Sequence, residues 1–178
     1  NNNETLNMST RKFSFIPTSN SIELRFNGIS SATNHDRMYV DNVVLSTATH
    51  PLISAPKPTI ARIAGFCIGG GLEVAQLCDI QIAADTATFG VTPAKLGLGY
   101  KLDDVQLLTN NVSAKAAKEI LFTARQFPAG DALRWGLVNR VVAEHDLDDT
   151  VNTYAHDIAV NAPLSIKAAK IIVSIGTS

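Results

Sequence analysis

The stretch GFCIGGGLEVA, Gly65 to Ala75, sets four glycines and one carboxylate among apolar residues. Before it, TIARIAG reads as an apolar strand ending in glycine; after it, LEVAQLC reads as a helix that starts directly behind the triple glycine. A strand running through such a turn into a helix leaves backbone N–H groups without intrahelical partners at the helix start. Those groups suit an anion, or a carbonyl oxygen that is gaining negative charge. A tight helix–strand packing turn is the plainer use of the same glycines. Two phosphate-binding patterns fail on spacing: the stretch lacks the Gly-Lys-Ser/Thr ending of a P-loop, and it lacks G-x-G-x-x-G with an acidic residue about twenty positions on. Glu73 falls in the first helical turn, between Leu72 and Val74. Apolar neighbours raise a carboxyl pKa toward values useful for proton transfer. The plainer reading is a solvated glutamate favoured by the helix dipole.

Outward from this stretch, short strands alternate with helical segments, which argues for α/β layering. DIQIAA and TATFG read as strands. SAKAAKEILFTA reads as a helix with Ser113 as N-cap, AGDALRWG as a short helix closed by Gly136, and LVNRVV as the strand after it. Two more helices are predicted in LDDTVNTYAHDIAV and PLSIKAAKIIVSI, with Pro163 opening the second. The first 50 residues differ in texture. They open Asn-rich, then give alternating runs at Phe13 and Phe15 and at Ile22, Leu24 and Phe26 around PTSNS, a β-hairpin pattern; Met38–Ser46 is a third strand candidate. The sequence therefore divides into a hairpin-rich segment, 1–50, and an α/β segment, 51–178.

At 178 residues the chain suffices for one core-forming domain. A net charge of -1 and a pI near 6.5 provide no basic field for nucleic acid or an anionic membrane. The most apolar window, Pro58–Ala75, is interrupted by Arg62 and Glu73 and reads as buried core instead of a membrane span. No basic end followed by an apolar run marks the start, so a soluble, cytoplasmic protein is expected. Cys67 and Cys78 have no third or fourth ligand at metal spacing; buried reduced thiols and no metal site are expected. His35, His50, His145 and His156 are scattered without ligand spacing.

KPTIARIAGFCIGGGLEVAQLCDIQIAADTATFG, then KLGLGY, then ALRWGLVNRVV closely resemble the enoyl-CoA hydratase/isomerase family, the crotonase superfamily. The resemblance runs from about Ala55 to Ala169 and not through the first 50 residues. It implies a β-β-α spiral fold, truncated at both ends, with the N-terminal β-rich segment attached. It also implies an acyl-CoA-processing enzyme of fatty acid metabolism, a lyase or isomerase, in which two backbone N–H groups form an oxyanion hole and stabilise a thioester enolate. One donor carries over onto Gly70, flanked by Gly69 and Gly71 at the substrate, and Glu73 takes the place of a glutamate used by hydratases. No cofactor is implied beyond coenzyme A as part of the substrate. Partners are the acyl-CoA thioester and other copies of the chain, as a trimer or hexamer.

Three departures qualify this. Pro93, in FGVTPAKLG, stands where hydratases carry a second glutamate, and proline transfers no proton, which tilts the expectation from hydration toward double-bond isomerisation. In GYKLDDVQLL, Asp103 and Asp104 stand near where other members place alternative acidic groups; helix N-capping is the simpler account of them. No segment like A-G-x-D, the family's source of the second oxyanion N–H, occurs between Asn1 and Lys57. NSIELRFNGISSATNHDRMYVDNVVLS instead faintly resembles the closing strands of secreted carbohydrate-binding-like β-sandwiches. A non-catalytic crotonase-like fragment or fusion, acting as an interaction or surface module, is the alternative function.

Overall fold

Thr59–Ile63 and Ile80–Ala84 read as near-continuous apolar runs, the pattern of parallel strands covered on both faces. In the computed structural model, which describes residues 22–25 and 55–176, they lie side by side at the centre of a sheet. Its order is β1 (Ile22–Arg25), β2 (Thr59–Ile63), β4 (Ile80–Ala84) and β7 (Arg140–Val142), all parallel. A second sheet holds β3 (Phe66–Ile68), β5 (Thr88–Gly90) and β6 (Gln126–Pro128), with β3 parallel and β6 antiparallel to β5.

The chain winds between the sheets. From β2 it turns at Gly65, φ +72°, into β3 and then helix α1 (Gly70–Gln76); β4 and β5 repeat the step and lead to α2 (Leu102–Asn111) and α3 (Ala114–Thr123). β6, α4 (Ala129–Trp135) and β7 follow, then α5 (Leu147–Ala159) and α6 (Pro163–Gly176). The first two turns each give one strand to each sheet before their helices, and in the last α4 stands between β6 and β7. This is the expected β-β-α spiral.

Alternation along the strands decides which layer each side chain joins. Ile60 and Ile82 face α5, where they pack with Leu147 and Val151. Ala61, Ile63 and Ala83 face the other way, into the larger core with Leu72, Ala75, Phe89 and Phe127. Arg62 ion-pairs with Asp148 of α5. The buried Gln81 amide donates to the carbonyls of Ala75 (3.0 Å) and Cys78 (2.7 Å), tying the end of α1 to β4.

The predicted caps form. The Ser113 hydroxyl accepts from the N–H of Ala116 at 3.2 Å, Gly136 closes α4 at φ +82°, and Pro163 opens α6. Cys67 and Cys78 are both buried and unpaired. Of the hairpin reading, the second run contains β1, which pairs in parallel with β2 on one edge. The first run at Phe13 and Phe15, and the strand candidate Met38–Ser46, lie outside the described residues.

Candidate active site

The glycine turn is built around Gly69. Its backbone, φ +57° and ψ −125°, is strained for any residue with a Cβ. Its N–H donates to the carbonyl of Gly90, the last residue of β5, at 2.9 Å. Its carbonyl accepts from the N–H groups of Leu72 (2.9 Å) and Glu73 (3.1 Å), which starts α1. The N–H of Gly70 lies ahead of those bonds, and no hydrogen bond among the described residues uses it. Gly71 is inside α1, with open space where a Cβ would stand. The glycines thus do different jobs: Gly69 makes the turn and Gly70 presents a donor.

Glu73 is three residues beyond Gly70, which brings both to one face of the helix. Its side chain is half-buried, and burial raises its pKa above the usual carboxylate value, as does the negative charge of Asp104. A hydrogen bond from Tyr100 and the charge of Lys101 oppose that rise. The Tyr100 hydroxyl is itself pushed up, first by burial, then by Glu73 and Asp104, so it stays protonated. Glu73, Tyr100 and Asp104 form one cluster because α2 packs on α1 and Tyr100 lies just ahead of α2.

Of the predicted acidic pair, only Asp104 acts on Glu73; Asp103 is exposed in the same helical turn. The capping account of both is corrected. The N-cap of α2 is Lys101, with extended backbone at φ −71° and ψ 153° and no side-chain cap bond. Asp103 and Asp104 lie inside the first turn, where a carboxylate favours the helix through its dipole. Pro93 opens a 3-10 turn, Pro93–Leu96, that leads by way of Gly97, φ +68°, toward Tyr100. Tyr100 was missed because a single tyrosine behind a glycine-rich loop has no periodic signature. Among the described residues, no group of His, Cys, Asp or Glu could hold a metal ion.

Residues 29–178 match the sequence family described as enoyl-CoA hydratase/isomerase. This chain belongs to that family. The match starts upstream of the motifs, inside the segment set apart as residues 1–50. The short-chain-enoyl-CoA hydratase of Clostridium acetobutylicum is 42% identical over 114 residues, 64% of this chain and 44% of that protein. The methylmalonyl-CoA decarboxylase of Escherichia coli is 37% identical over 126 residues, 71% of this chain and 48% of that one. Among solved structures, an enoyl-CoA hydratase/carnithine racemase from Magnetospirillum magneticum superposes with a TM-score of 0.68 at 34% identity, covering 71% of this chain and 48% of its own. The chain spans about half the length of the relatives it matches.

Proposed function

We propose that this crotonase-family chain processes acyl-CoA thioesters through an enolate, with the Gly70 N–H as an oxyanion donor and Glu73 as the acid/base. The observation that carries this reading is the shared face of Gly70 and Glu73 on α1: a donor for a developing oxyanion beside a half-buried carboxyl group. The names of its relatives support the substrate class, since hydratase and decarboxylase alike are named for CoA thioesters.

Pro93 directs the reading to isomerisation. The Glu73 carboxylate removes a proton from C2 of a 3-enoyl thioester, and the electron pair moves to the thioester oxygen as a dienolate. The same carboxyl returns that proton at C4, leaving the double bond between C2 and C3. One acid/base suffices for this sequence, whereas hydration wants one group for the water and another for the proton.

A homo-oligomer, trimer or hexamer, belongs to the same reading. Leu164 and Ile172 of α6 are 82% and 68% exposed, an apolar surface suited to association. A monomer by light scattering at micromolar concentration would contradict it. A cytoplasmic location accords with the two unpaired cysteines.

The test is turnover of a panel of 2- and 3-enoyl-CoA thioesters by wild type and Glu73→Gln. Loss of one general acid/base predicts a fall of about 10²–10⁴-fold in the variant. The exposed apolar residues of α6, Leu164 and Ile172, also suit a second reading, a non-catalytic crotonase-like interaction module. A well-folded wild type without turnover on any thioester would select it.

A further inference from the structure

Two glutamines are buried around α1, and they differ in how their amides are satisfied. The Gln81 amide donates to the carbonyls of Ala75 and Cys78. Gln76, the last residue of α1, is 8% exposed, and its Oε1 is buried with no hydrogen-bond partner among the described residues. A buried amide oxygen without a donor has given up its water and received nothing in exchange, a condition that protein interiors seldom carry without a use. An aliphatic side chain would fill the same space without that penalty.

The place of Gln76 on the helix says what it faces. Glu73 comes three residues before it and Leu72 four, so Gln76 shares a face with both. Long helical side chains lean toward the N-terminus, over the residues three and four back, which carries the amide toward Leu72 and Glu73. Leu72 is sealed in the main core and Glu73 is half-buried. The Gln76 amide therefore stands at the border between the core and the candidate acid/base, on a backbone position about 4.5 Å further along the helix axis than Glu73.

We propose that Gln76 is a specificity-determining residue that selects acyl groups carrying a hydroxyl beyond C4. The inference rests on the proposed role of Glu73 and deepens it by naming the substrate class. Glu73 acts at C2 and C4, so the part of the acyl group that continues past the carboxyl is the part that meets the amide. A hydroxyl has a hydrogen to donate to Oε1 and lone pairs to accept from the amide nitrogen, whereas a hydrocarbon chain has neither and a carbonyl has nothing to donate. A plain chain in the same place leaves the amide oxygen unpaired and sealed from water, and that difference discriminates between the two substrates.

The experiment is a calorimetric titration of wild type and Gln76→Leu with octanoyl-CoA and with derivatives carrying a hydroxyl on C6, C7 or C8. These saturated chains have no double bond to move, so binding is read apart from chemistry. Leucine fills the interior without a polar atom. At least one hydroxylated thioester is expected to bind wild type about tenfold more tightly than octanoyl-CoA, the worth of one hydrogen bond, and that ratio is expected to fall to about one in Gln76→Leu.

Equal wild-type affinities across the series overturn the inference, as does a preference that survives in Gln76→Leu. A role in packing alone would shift all the affinities together and leave their ratio in place. Should Gln76→Leu fail to fold, Gln76→Met takes its place, since a thioether is only a weak acceptor. Failure of the parent reading looks different. No binding of any thioester in the series would remove acyl-CoA as the substrate class and this inference with it, whereas turnover insensitive to Glu73→Gln would remove Glu73 from the chemistry and leave the affinity ratio intact.

Discussion

Gly69 and Gly71 are separated by one residue, yet they answer to different physics. Gly69 occupies φ +57° and ψ −125°, a region that costs a residue with a Cβ about 1–3 kcal/mol. Gly71 is inside α1 with open space around it, where alanine gains up to about 1 kcal/mol of helix propensity. Urea denaturation should therefore find Gly69→Ala destabilised by about 1–3 kcal/mol and Gly71→Ala neutral or stabilised. Equal losses at both positions would mean the turn is not held as described. Glu73 adds a pH dependence. Its folded pKa is raised, mainly by burial, so between the usual carboxylate value and the raised one the folded protein keeps a proton that the unfolded chain releases. The stability from this proton is complete below the usual value and disappears as pH rises through the raised value. Urea unfolding over a pH series should show Glu73→Gln gaining on wild type across that window and holding a constant difference above it.

At the scale of elements, α6 is attached to the sheet by one polar clamp. Asp79, at the start of β4, accepts from the Thr59 N–H (2.7 Å), the Thr59 hydroxyl (2.8 Å) and the Lys170 ammonium (2.7 Å). Lys170 also donates to the Lys57 carbonyl at 3.0 Å, and its side chain is only 10% exposed. Removing the carboxylate leaves a largely buried ammonium and two backbone-proximal donors without their acceptor. Asp79→Ala is expected to cost about 2–4 kcal/mol in urea unfolding, with α6 the first segment to gain hydrogen exchange. A loss below about 0.5 kcal/mol would mean the pair behaves as a solvent-screened surface bridge.

The whole molecule is organised by two sheets with the main core between them and the helices. Cys67, on β3, and Cys78, just beyond α1, are both buried in that core. Burial pushes each thiol up to about 12, with the charge of the other cysteine adding at Cys67 and that of Asp79 at Cys78. A free cysteine ionises near 8.5, so the folded protein holds roughly a thousandfold less thiolate at neutral pH. Labelling with a thiol-reactive disulfide should be slow in buffer and prompt in urea, with both cysteines reacting together as the core opens. Fast labelling of either thiol in the native protein would show that this core is open to solvent.

The repeating order of strand, turn, strand and helix was legible in the sequence because local pattern encodes it. Apolar runs such as Thr59–Ile63, a glycine turn at Gly69, a hydroxyl cap at Ser113 and a left-handed stop at Gly136 depend on near neighbours. The motifs around them carried the family; Glu73 stood out as the one carboxylate in the glycine stretch, and the resemblance carried the donor role onto Gly70. Tertiary structure alone decided what surrounds Glu73. Tyr100 and Asp104 lie 27 and 31 residues further along the chain, and only the packing of α2 on α1 brings them to the carboxylate. It also decided the partner of β1, because the alternation of Ile22–Arg25 is the same for parallel and antiparallel pairing. Side-chain periodicity says which face is buried, and the direction of a neighbouring strand depends on contacts far away in sequence.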